Sequence, residues 1–94
     1  MTEVFNALAR YIAALDRSAH ETHRAEDRRA YTEHLAAAAR CFVMVHAGRI
    51  TELRALIASE RRAYGTAYLS GAEGSAAEKA FDDFARVVEA ANAT

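Results

Sequence analysis

The chain has 94 residues, room for one small domain with a modest core, and 52% of them are hydrophobic, which excludes a disordered composition. The formal net charge of −1 gives no global attraction to nucleic acid, and the single cysteine, Cys41, excludes an intrachain disulfide. No stretch is long and uncharged enough to predict a membrane span, and the start "MTEVFNALAR" lacks the basic segment and apolar run of a signal peptide, so the cytoplasm is the expected compartment.

Proline is absent, glycine occurs only at Gly48, Gly65, Gly71 and Gly74, and alanine is abundant. Alanine loses no side-chain entropy in a helix, so the composition predicts helices throughout residues 1–94, read as a single helical domain. A first helix should begin after Thr2, with Glu3 in its first turn. Val4, Leu8, Tyr11 or Ile12, and Leu15 repeat at spacings of three and four and mark its apolar face. Ser18 followed by Glu21 fits a capping box and predicts a new start, although no glycine or proline enforces a break between residues 17 and 23.

The second helix is expected from about residue 19 to 47. Tyr31, Leu35, Ala38, Phe42 and Val45 fall at heptad spacing and form its predicted buried seam. Gly48 suits the residue just past its end, because glycine accepts a left-handed backbone at little cost. A helix this long would overhang shorter neighbours, and a twofold partner would cover the excess; the alternative is a start near Ala25, with the domain closing as a monomer. Thr51 is the expected cap of a third helix, with Leu53, Leu56 or Ile57, Tyr64, and Ala67 or Tyr68 as its apolar side. Gly65 interrupts that helix without ending it. "LSGAEGS" reads as a loop, and Ser75 with Glu78 as the capping box of a last helix lined by Phe81, Phe84 and Val88. The fold class is therefore all-α: a small antiparallel bundle of three or four helices with a long second helix.

Three of the four histidines lie in "SAHETHRAEDRRAYTEH", Ser18 to His34. On one helix, His20, His23, Asp27 and His34 fall within about 60° of one another. His20 and His34 would stand roughly 21 Å apart, so only His20, His23 and Asp27 are candidates for a shared metal, with a further ligand from elsewhere. The order "HETH" is not the zinc-protease arrangement, whose histidines lie four apart. The simpler account is a solvated helix side carrying charges at four-residue spacing, such as Arg29 and Glu33.

In "SERRAYG", Arg61 and Arg62 beside Tyr64 suit a phosphate, a carboxylate or an acidic protein surface. The nearest such surface is the chain's own end. Residues 17–62 carry nine basic and six acidic groups, while residues 63–94 carry two and five. Tyr11, Tyr31, Tyr64 and Tyr68 lie on or near apolar faces and suit core packing, a pocket or an interface. Glu78, Asp82 and Glu89 form an acidic stripe facing water.

No phosphate loop, paired-cysteine zinc pattern, serine elbow or calcium loop is present, so no catalytic residue or cofactor is assigned. The expected function is a non-enzymatic regulatory or scaffolding role through protein contacts, with a homodimer as the expected state. Tyr31, Leu35, Arg61, Arg62, Tyr64 and Tyr68 are the expected contact residues. The alternatives are a helical sensor of a small ligand or metal and a weak nucleic-acid-binding regulator. The last requires Arg24, Arg28, Arg61 and Arg62 to form one patch, and nucleic acid is not the favoured partner.

Overall fold

A computed structural model of the chain describes residues 2–66 and 71–92, with side chains left undescribed at 64–66, 71–73 and 92. The described residues form four α-helices: α1 Thr2–Glu21, α2 Ala25–Ala47, α3 Ile50–Thr66 and α4 Gly71–Asn92. There is no strand among them, and no helix among them is long and apolar enough to cross a membrane. α1 packs on α2, α2 on α3, α3 on α4 and α4 back on α1, an antiparallel four-helix ring with short connections. The all-α bundle expected from composition is the fold.

Each helix turns a stripe of three- and four-residue spacing inward. On α1 it is Val4, Leu8, Tyr11, Leu15 and Ser18, continued by Thr22 just beyond the helix. On α4 it is Ala77, Phe81, Phe84 and Val88. α3 contributes Leu53 and Ile57, with Leu56 half-buried. Tyr11 meets Phe81 edge-on at 5.5 Å and stacks on Phe84 at 6.1 Å, so α1 and α4 supply the bulk of the aromatic core.

On α2 the buried stripe is Asp27, Tyr31, His34, Ala38, Cys41 and Val45. It shares Tyr31, Ala38 and Val45 with the predicted seam. His34 replaces Leu35 and Cys41 replaces Phe42, a rotation of about 40° about the helix axis. Leu35 is half-buried and Phe42 is 50% exposed.

Three predicted boundaries are corrected. Ser18 and Glu21 do not cap a second helix: α1 runs to Glu21, Ser18 is buried within it, and α2 begins at Ala25 rather than near 19. The turn between them uses Thr22, whose amide bonds the Ser18 carbonyl at 3.0 Å and whose hydroxyl accepts from the Arg24 amide at 3.4 Å. α2 is the longest helix at 23 residues, but α4 has 22 and α1 has 20; only α3, at 17, is markedly shorter, and Tyr31 in the first half of α2 is fully buried within the bundle. Ser75 and Glu78 do not open the last helix either. α4 starts at Gly71, because buried Gly74 and Ala77 extend the Phe81–Phe84–Val88 stripe towards the N-terminus. The third correction is small: α3 starts at Ile50, with the Arg49 carbonyl taking the Leu53 amide at 3.0 Å, and it continues through Gly65 as expected.

Gly48 ends α2 in the left-handed region, at φ 71° and ψ 23°. Its amide bonds Val45 O at 3.2 Å and the Arg49 amide bonds Met44 O at 2.9 Å, the paired bonds of a Schellman motif. A Cβ built at Gly48 would meet nothing within 4 Å, so the backbone conformation alone demands glycine. Gly48→Ala is therefore expected to destabilise the protein by about 1 kcal/mol, and Gly48→Asn by less. Urea denaturation of the two variants checks both the size and the order.

Candidate functional site

The residues singled out in Ser18–His34 separate into two environments. His20 and His23 are exposed, as a solvated side requires. The His20 ring donates through Nδ1 to the Asp16 carbonyl at 2.7 Å. Asp27 and His34 are buried, contrary to the solvated reading. Asp27 sits in the first turn of α2, where the helix N-terminus favours a negative charge. His20, His23 and Asp27 are thus not gathered, and among the described residues no group of three or more histidines, cysteines and carboxylates is placed to hold a metal ion.

His34 points from α2 to Glu60 on α3, donating through Nδ1 to Oε2 at 2.6 Å, with the two side chains 6% and 15% exposed. In the sequence Glu60 stands beside Arg61 and Arg62 and only offsets their charge. Its partner lies 26 positions away, so the pair shows in the sequence only as a polar residue, His34, at heptad spacing from Tyr31 and Ala38. Cys41 lies one heptad beyond His34 on the same stripe. Burial, reinforced by the Glu60 carboxylate, pushes its thiol from 9.0 up to about 12. Such a thiol stays protonated near neutrality and is a poor nucleophile.

Arg61 crosses from α3 to α4. It lies 3.5 Å from the Asp82 carboxylate and 3.8 Å from that of Glu89, with its guanidinium 5.6 Å from the Phe81 ring centre. The acidic final helix is therefore the surface that Arg61 meets. Arg24 bonds Glu26 at 3.2 Å, so Arg24, like Arg61, is engaged by a nearby carboxylate rather than held for nucleic acid. Tyr31 is fully buried. Tyr68 and the side chain of Tyr64 lie outside the described residues.

Two open grooves flank the ring. One, of about 530 Å³, runs between α1 and α2 over Phe5, Ala9, Ile12, Leu35 and Phe42, with Asp16 at one end. At its other end Phe5 meets Phe42 edge-on at 5.7 Å, and Phe42 stacks on His46 at 6.5 Å. Phe42 and its neighbour Val43, 62% exposed, are the exposed large hydrophobic side chains among the described residues. The other groove, of about 560 Å³, lies between α3 and α4.

Comparison of the chain with protein-family models, curated proteins and solved structures gives no match in any of the three.

The His34–Glu60 bond should show a coupling energy. His34→Ala is expected to cost about 1–3 kcal/mol by stranding Glu60, whereas His34→Leu with Glu60→Leu should cost less than the two single changes together. A double-mutant cycle in urea measures this. Cys41 is expected to resist a thiol reagent such as DTNB at pH 8 in the folded protein and to react once urea unfolds it.

Proposed function

We propose that this protein acts through protein–protein contacts as a small regulatory or scaffolding module, and that it self-associates through the α1–α2 groove. The observation that carries the reading is Phe42, half exposed beside Leu35, Ile12 and Phe5 rather than turned into the core. A groove with an aromatic end is the kind of surface that supplies the buried anchor of an interface.

A second copy suits it because Asp16 lines one end of the groove, while His46 stacks on Phe42 at the other and Arg49, itself 3.7 Å from Glu52, follows three residues on. Asp16 and the Phe5–Phe42–His46 cluster stand roughly 16 Å apart along α1. An antiparallel twofold contact would place Asp16 of each copy beside His46 and Arg49 of the other, while the two Phe42 rings meet apolar surface. The overhang of α2 no longer contributes to this reading. Tyr31, being buried, is not a probe of it: a charge there would open the bundle. Phe42 is the informative position.

Sedimentation of the wild type is expected to show a dimer at tens of micromolar. Phe42→Glu should leave helicity intact and weaken association by about tenfold or more, since it puts a charge in an apolar contact. Arg54→Glu, on the other side of the ring, should leave association unchanged. A wild type that remains monomeric at hundreds of micromolar rules out self-association.

A further inference from the structure

We propose that α3 is a detachable flap: it leaves the bundle as a unit while α1, α2 and α4 stay folded together, and the His34–Glu60 bond is its latch. α1 and α3 stand diagonally across the ring, with no close approach of their backbones. The extensive interfaces are those of α1 with α4 and with α2, and the two that α3 makes are smaller. The contacts of Tyr11 with Phe81 and Phe84 join α1 to α4 and leave α3 out. Among the described residues α3 buries Leu53 and Ile57, whereas α1 buries Val4, Ala7, Leu8, Tyr11 and Leu15. An element with fewer buried apolar groups opens at a lower free energy than the whole domain unfolds.

The polar ties of α3 to its neighbours differ in strength. On the α4 side Arg61 lies 3.5 Å from Asp82 and 3.8 Å from Glu89, with all three side chains at least half exposed, and such pairs hold weakly. On the α2 side Glu60 accepts from His34 at 2.6 Å, and both side chains are largely buried. Removing the Glu60 carboxylate would leave His34 buried without this acceptor, a penalty that opening of α3 relieves. The chain before α3 permits the motion. α2 closes its own last turn, with the Gly48 amide on Val45 O and the Arg49 amide on Met44 O, so its end stays capped when α3 is away. Gly48, at φ 71°, is the pivot. The open form uncovers the Phe81 ring beneath Arg61, and Ala85 and Val88 beside Ile57, an apolar surface that the closed bundle hides.

Native-state hydrogen exchange of the ¹⁵N-labelled full chain, followed by NMR in urea below the unfolding transition, reads the motion. Relative to their intrinsic rates, amides from Arg54 to Arg62 are expected to exchange about tenfold or more faster than the slowest amides of α1 and α4. Their urea dependence should be weaker, because opening exposes less surface than unfolding. Glu60→Ala should speed α3 exchange about tenfold. Arg10→Gly, a solvent-facing change in α1, should speed the slowest α1 amides about fivefold. It should leave α3 within about twofold, because α1 is folded in the closed and the open form alike. Equal rates and equal urea dependence in α1 and α3 would overturn the proposal. So would an equal response of both helices to Arg10→Gly, or α3 exchange unmoved by Glu60→Ala.

Discussion

The fold depends on a mismatch of phase between the first two helices. If residues 2–47 formed one straight helix, the buried stripe from Val4 to Thr22 and the buried stripe from Asp27 to Val45 would point about 140° apart. One helix cannot bury two opposite faces in one small core. The chain therefore folds back at Thr22–Arg24, although nothing there has the backbone preference of glycine or proline. Thr22 makes the break tolerable: it is buried, its amide continues the α1 bonding, and its hydroxyl takes the Arg24 amide. Once α2 is separate and antiparallel to α1, its three inward heptads line up with those of the other helices.

The rotation of α2 then follows from volume. Tyr11, Phe81 and Phe84 fill the core from α1 and α4. Close packing sets small side chains opposite large ones, and α2 brings Ala37, Ala38 and Cys41 inward. The same rotation turns Phe42 halfway out and His34 in. Leaving Phe42 half exposed forfeits on the order of 1 kcal/mol of burial. Burying His34 without a partner would cost about 1–3 kcal/mol, and the 2.6 Å bond to Glu60 removes that penalty. The polar pair thus cancels its own cost, and the fit of Ala37, Ala38 and Cys41 against the aromatic core is what offsets the burial lost at Phe42.

What was legible in the sequence was what local chemistry decides. Alanine content and the absence of proline set the helices. Gly48 set the end of α2, and the Phe81–Phe84–Val88 stripe set the inward side of α4. The excess of positive charge before residue 63 and of negative charge after it pointed to the contact of Arg61 with the final helix. The break at Thr22–Arg24 shows in the sequence only as the alternative start near Ala25, because the capping signal at Ser18 is local whereas the phase mismatch appears only when two stripes are compared. The start of α4 was misplaced for a related reason: Ser75 and Glu78 look like a cap, but burial of Gly74 and Ala77 carries the helix past them. The heptad pattern places Phe42 in the core because its hydrophobicity outweighs that of His34, whereas Leu35 does pack against the core from a half-buried position. That error concealed the α1–α2 groove, since Phe42, which lines it, had been spent on the interior.

The His34–Glu60 bond has a second consequence, because each partner adjoins a groove residue. Leu35 follows His34 and lines the α1–α2 groove, while Arg61 follows Glu60 and lines the α3–α4 groove. Apolar contacts between α2 and α3 would tolerate a slip of one turn with a modest loss, since alanine and leucine stripes are forgiving of register. A slip of about 5 Å would instead strand an imidazole and a carboxylate in a largely buried place. Buried polar pairs add little net stability against an apolar replacement, and their attested use is to select one register among several. In this bundle the selected register sets where Leu35 lies along α1 and where Arg61 lies along α4. Both outer surfaces are thereby positioned by one interior contact.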